Sequence, residues 1–221
     1  MAMRVFASCA VTVALCVACG HAETTEPRSA ASTPSASGDT VDPGNIMRVR
    51  TELPAGYEVA DLAGLTSPLA FWGLGAQSTA DPPQCVALAE PVPGASARGW
   101  SASGPGGIVY AVVIDAEVGL DPALIAECGT WTVSAGHTNG VVTLIPAPAI
   151  ERAATIGMAT DAATSVEGGT ETHSRADTFG AFLSGHVVYV TVVSDPGSTG
   201  PILGADYASA LLAKTVSALR P

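Results

Sequence analysis

Residues 108–118 read IVYAVVIDAEV, and residues 186–193 read HVVYVTVV. Both runs are apolar and rich in β-branched side chains, which pack well on a pleated surface and pay little for it in rotamer freedom. The first follows Gly104-Pro105-Gly106-Gly107, a turn, and that turn follows another strand-like stretch, 98–103. The second closes a longer strand region, 179–193, preceded by a further strand at 170–177. Residues 131–135 and 141–145 flank Gly136-His137-Thr138-Asn139-Gly140, a hairpin signature that includes Asn-Gly. Residues 57–62 form a shorter strand. Antiparallel pairing of neighbouring strands follows from these short connections.

Helical signals surround the strands. In residues 204–219, Tyr207, Ala208, Leu211, Leu212, Thr215 and Leu219 fall on one helical face. Asp121-Pro122 opens a helix to residue 127, an N-cap followed by proline at the first helical position. Residues 45–53 form a short helix stopped by Pro54-Ala55-Gly56, and residues 68–74 a helical turn carrying Phe71 and Trp72. Residues 82–89 are helical with proline in the first turn, and residues 149–158 are partly helical. The fold class is α+β, an antiparallel sheet flanked by helices.

The 221 residues are 48% hydrophobic and 13% charged, a composition that folds. The formal charge is −11. Lys214 is the only lysine, and no run of Lys or Arg occurs. A groove for nucleic-acid phosphates needs clustered cations, so nucleic acid is excluded as a partner. Electrostatic attraction to anionic lipid needs them too.

The chain begins with Arg4 before an apolar run, 5–18, of signal-peptide length and too short to span a bilayer. Cys16-Val17-Ala18-Cys19-Gly20 follows. A small residue before a cysteine at the end of such a run resembles the bacterial lipobox, where a diacylglycerol is attached to the thiol and the leader is cut off. Cys16 stands where that pattern usually has Leu. Residues 1–18 are read as the signal peptide and Cys19 as the lipidated first residue of the mature chain. The alternative is an ordinary secreted protein cut at a small-residue site. Residues 21–43, HAETTEPRSAASTPSASGDTVDP, have the composition of a flexible linker. The organisation is therefore a signal peptide (1–18), a lipidated cysteine with its Ser/Thr/Pro tether (19–43) and one extracytoplasmic domain (44–221). The expected location is the outer face of the cell membrane, held there by the lipid.

Past Cys19 only Cys85 and Cys128 remain. Outside the cytoplasm such a pair reads as one disulfide. Neither has a second Cys or His at metal-ligand spacing, so no metal site is expected.

No catalytic pattern emerges. Gly99-Trp100-Ser101-Ala102-Ser103 has part of the G-x-S-x-G nucleophile elbow, but it lies between strands and lacks the last glycine. His137, His173 and His186 are scattered, the carboxylates are dispersed, and Gly104-Pro105-Gly106-Gly107 enters a strand rather than a helix, unlike a phosphate loop. No cofactor is implied. Trp72, Trp100 and Trp131 are either core anchors or the lining of an apolar ligand site.

The lipobox at Cys19, the tether and the segments LPAGYEVADLAGLTSPLAFWG (53–73), ADPPQCVALA (80–89) and GWSASGPGGIVYAVV (99–113) resemble the small lipoproteins of mycobacteria and related actinobacteria in the Lpp, Lpq and Lpr series. More distantly, the layout over 45–220 is similar to the extracellular sensor domain of PknH-type kinases. That resemblance implies an antiparallel sheet flanked by helices, disulfide support and a ligand cleft, with no catalytic motif. The kinase sensors usually have two disulfides; this chain has cysteines for one. The expected function is a cell-envelope lipoprotein with a non-catalytic, sensor-like or ligand-binding domain for an envelope ligand or protein. The alternatives are a lipid or glycolipid carrier with an apolar cavity, and an envelope hydrolase.

Overall fold

The two runs that read most clearly as strands lie side by side at the centre of the fold. The structure, a computed structural model, describes residues 40–62, 67–75, 77–166, 168–194 and 201–221. The signal peptide 1–18, Cys19 and the tether up to residue 39 lie outside the described residues. Among the described residues there are nine strands: β1 (Glu58–Asp61), β2 (Thr79–Asp81), β3 (Ala97–Gly104), β4 (Gly107–Asp115), β5 (Thr130–Ala135), β6 (Thr138–Ile145), β7 (Ala154–Ser165), β8 (Glu171–Leu183) and β9 (His186–Ser194). They form one sheet in the order β1-β3-β4-β9-β8-β7-β6-β5-β2, and every neighbouring pair is antiparallel. β5 to β9 are a five-stranded meander. The β3–β4 hairpin, with β1 on its outer side, closes onto β9.

Both faces of the central strands are buried, which is why their sequences are apolar throughout. On one face Val109, Ala111 and Val113 of β4 and Val188, Val190 and Val192 of β9 pack under α3 (Ala205–Leu219) and a 3-10 helix, Pro43–Glu52. The helix contributes Ala208, Leu211, Leu212, Val216 and Leu219, spaced to fall on one side of its barrel. Each such aliphatic side chain contributes about 1.5–3 kcal/mol when fully buried. On the other face Val112, Ile114, Val187 and Tyr189 pack against α1 (Pro68–Phe71), Trp72 and a second 3-10 helix, Pro83–Leu88. Phe71 stacks on Tyr110 at 4.3 Å, and Tyr189 donates its hydroxyl proton to the Leu88 carbonyl at 2.8 Å. Cys85 and Cys128 are joined, with Cα atoms 5.6 Å apart. The bond ties the second 3-10 helix to the C-cap of α2 (Pro122–Glu127), whose N-cap Asp121 accepts from the Ala123 amide at 2.8 Å.

The α+β expectation holds in the form of a predominantly β fold flanked by short helices. Four local expectations change. Residues 149–158 hold no helix; from residue 154 they enter β7, a 12-residue strand between β6 and β8. Its Gly157 explains the tight fit: a Cβ there would meet the Ile145 carbonyl at 2.8 Å and the Phe179 ring at 2.9 Å. The helices at 45–53 and 82–89 are 3-10 segments, each begun by proline. The hairpin between β5 and β6 turns at Gly136-His137, because Gly136 takes a positive φ of 57°, and Asn139-Gly140 belongs to β6. The strand regions 170–177 and 179–193 divide at Ser184-Gly185 instead of at residue 178.

Candidate functional site

The sheet changes character along β8. Glu171–Arg175 are exposed apart from the half-buried Ser174, and every residue of the strand from Ala176 onward is buried. The boundary marks the rim of α3's cover. β5 and β6, farther out, bury only alternate residues. On the α3 side of the sheet, four strands therefore present a face that none of the described helices covers.

Strand register sets what that face displays. One row across β5, β6, β7 and β8 is Ser134, Asn139, Ala163 and His173. The next row is Thr132, Val141, Asp161 and Arg175. The row after that, Thr130, Thr143, Ala159 and Asp177, continues into Val192 and so runs under the helix. Adjacent strands are about 4.8 Å apart and rows about 6.7 Å apart, so the first eight residues form a compact grid. They line a groove of about 610 Å³, with the backbone of Val133, Gly140, Ala162 and Ser174 between them.

The groove is polar at its edges and aliphatic at its centre. Val141, 46% exposed, sits between its partners Thr132 and Asp161. The Arg175 guanidinium spans two carboxylates, donating from Nη1 to Asp161 Oδ1 at 3.4 Å and from Nη2 to Asp177 Oδ1 at 3.2 Å. Asp161 and Arg175 are open to solvent, whereas Asp177 is buried. Thr79 and Ser134 hydrogen-bond through their hydroxyls at 3.0 Å, at the β2 edge.

No hydrogen bond joins His173 to a serine, threonine or aspartate of the groove. Elsewhere, His186 lies 3.3 Å from Asp115 through Nε2 and 3.2 Å from the Ser184 carbonyl through Nδ1. Neither contact is to a hydroxyl or thiol that could serve as a nucleophile. Among the described residues no group of three His, Cys, Asp or Glu side chains is placed to hold a metal ion. No helix among them is long and apolar enough to cross a membrane.

The three tryptophans expected to line a ligand site do not border the groove. Trp72, Trp100 and Trp131 are at most 3% exposed and belong to the core. Trp72 and Trp131 meet on the disulfide face with ring centroids 6.2 Å apart, and Trp72 donates to Thr178 Oγ1 at 3.0 Å. Trp100 lies on the opposite face and donates to the Ile46 carbonyl at 3.0 Å. In a chain with 5% aromatic residues, these large rings fill space between sheet and helices. The Gly99–Ser103 stretch is internal to β3 and forms no elbow.

A family model described as a domain of unknown function, DUF5642, matches residues 42–220. The chain belongs to the DUF5642 family. The match spans the described part of the DUF5642 chain almost from end to end, so the groove, both cores and the disulfide all fall within it. No curated protein matches the chain. Among solved structures, an uncharacterized protein of Mycobacterium smegmatis, the ortholog of Rv0999, superposes with a TM-score of 0.61 at 19% identity. The match covers 82% of the DUF5642 chain and 98% of that protein, and it shows a shared fold. The extracellular domain of PknH from Mycobacterium tuberculosis matches with a TM-score of 0.41 at 15% identity, covering 80% of this chain and 92% of that domain.

Proposed function

We propose that the chain is an extracytoplasmic, non-catalytic ligand-binding domain, held at the outer face of the cell membrane by a lipid on Cys19, and that its site is the groove on β5 to β8. The carrying observation is the grid itself: eight side chains from four adjacent strands converge on a concave face that α3 leaves open. Ligand sites are concave, with a few placed polar groups around an apolar floor. The groove has those parts and no nucleophile–base pair.

The same packing weighs against a lipid carrier. The apolar side chains of β4 and β9 on both faces are in contact with helices and loops, and the groove is rimmed by hydroxyl, amide, carboxylate and guanidinium groups.

Mass spectrometry of small molecules co-purified with protein made in its own envelope tests the reading. A compound retained by the native chain and by Ile125→Asp, an exposed change on α2, should be lost from Val141→Asp. A compound retained equally by both variants overturns the groove. Steady turnover of an ester or glycoside library that depends on Asp161 or His173 overturns the non-catalytic reading. Labelling with a fatty-acid analogue tests the anchor: label should disappear in Cys19→Ala, and persistent label moves the anchor elsewhere.

A further inference from the structure

We infer that the groove takes a neutral, polyhydroxylated ligand, a sugar unit of a glycan, seated on Val141 and held at its edge by Asp161 and Arg175. The inference rests on the groove being the binding site and adds the ligand's chemistry.

The one cation of the grid is already shared by two carboxylates. The protein as a whole carries −11. An anionic ligand at Arg175 would have to displace Asp161 and face the buried Asp177 charge, so the groove offers no net attraction for phosphate or carboxylate. A cationic ligand meets the converse problem, because Asp161 has Arg175 as its partner and none of the remaining polar groups, Thr132, Ser134, Asn139 and His173, is an anion.

Asp161 and Arg175 are direct cross-strand neighbours, so a pure acceptor stands beside a planar fork of donors. Two adjacent hydroxyls of a sugar fit this pair, one donating to the carboxylate and the next accepting from the guanidinium. Such charge-assisted bonds are the stronger kind. Asn139, on the neighbouring row, supplies both an acceptor and a donor. Val141 stands between these groups and is exposed, with none of the described residues covering it. A sugar ring has a C–H face that covers an aliphatic side chain while its rim hydroxyls reach outward. An acyl chain would cover Val141 equally well but would strip water from Asp161, Arg175 and Asn139 without replacing it. The groove is open and its seat is small, Val141 with Ala163 beside it, so binding is weak and selectivity comes from the edge.

The test uses the chain from Gly20 onward, which contains the whole compact unit Ser37–Pro221. Backbone amide NMR shifts are followed on adding neutral oligosaccharides (glucan, mannan, galactan and arabinan fragments), inorganic phosphate or spermidine. The expected result is saturable shifts at 132–141, 161–163 and 173–175 with a neutral oligosaccharide only. Affinity should fall about tenfold in Asp161→Asn, the loss of one charged hydrogen bond. Asp161 is mostly exposed, so that variant keeps the native spectrum elsewhere. Groove shifts with phosphate or spermidine alone overturn the ligand class and leave the groove standing. Absence of groove shifts with all oligosaccharides overturns the inference, while the Val141→Asp co-purification result decides the groove separately. Saturable glycan shifts outside the groove overturn both.

Discussion

Arg175 and Asp177 lie two residues apart on the same face of β8, the arginine at the open groove and the aspartate buried, joined by an Nη2–Oδ1 contact of 3.2 Å. The pair spans the boundary between the wet and the dry part of one sheet face. Asp177 also stands close to the start of α3, where a Cβ on Gly204 would lie 4.0 Å from its Oδ2. Removing the arginine leaves a carboxylate in the core without its cation. Arg175→Ala should therefore cost about 2 kcal/mol, typical of a hydrogen bond to a charged group. Asp177→Asn should cost less. In the double variant most of the Arg175→Ala penalty should vanish, which a urea-denaturation double-mutant cycle measures. Additive effects would show that the pair is not coupled.

The Cys85–Cys128 bond closes a separation of 43 residues. Confining the unfolded chain by a loop of that length stabilises the fold by about 4 kcal/mol in the chain-entropy model. Replacing both cysteines by alanine should lower the urea midpoint accordingly and leave the sheet intact, because the second 3-10 helix keeps the Tyr189–Leu88 hydrogen bond. Unchanged stability under reducing conditions would mean that α2 and the 3-10 helix are held by packing alone.

Much of the fold was legible because the physics there is local. β4 and β9 are buried on both faces, and their β-branched runs say so without reference to any neighbour. The amphipathic face of α3 and the Asp121-Pro122 start of α2 are equally local signals. β7 was not legible: ATIGMATDAATS has the alanine content of a helix and becomes a strand only because β6 and β8 supply its partners and leave room for nothing larger than Gly157. The groove was not legible either. Asp161 and Arg175 are 14 residues apart and meet through register, and α3 packs on the buried half of the sheet without reaching them. The one visible trace was the change in β8 from the polar ETHSR to the apolar ADTFGAFL.

All four tyrosines should resist ionisation. Burial raises the pKa of Tyr57, Tyr110 and Tyr189 above the usual 10.0, and that of Tyr207 is pushed up to about 12 by burial, aided by the negative charges available at Tyr57 and Glu52. For Tyr207 the folded state holds its proton while the unfolded chain gives it up. Its contribution to stability is therefore intact below pH 10 and is lost as the pH climbs from 10 toward about 12. Urea midpoints measured across that range should fall with pH, and Tyr207→Phe should flatten the fall. An absorbance titration showing any tyrosine ionising at its ordinary pKa in the folded protein would contradict this burial pattern.

The three tryptophans separate packing from hydrogen bonding. All three rings are buried, so native emission should be blue-shifted and little quenched by iodide, and a ligand in the groove should leave it nearly unchanged. Truncation to phenylalanine should then rank the sites by their indole partners. Trp72→Phe leaves the Thr178–Thr191 hydroxyl pair without its N–H donor, and Trp100→Phe removes the indole donor to the Ile46 carbonyl. Each loss adds about 1 kcal/mol to the smaller packing cost of the change. Trp131 Nε1 is buried with no hydrogen-bond partner among the described residues, so Trp131→Phe removes bulk and breaks no bond. It should be the mildest of the three by urea denaturation. A Trp131→Phe penalty equal to or above the other two would show that its indole nitrogen is bonded in solution.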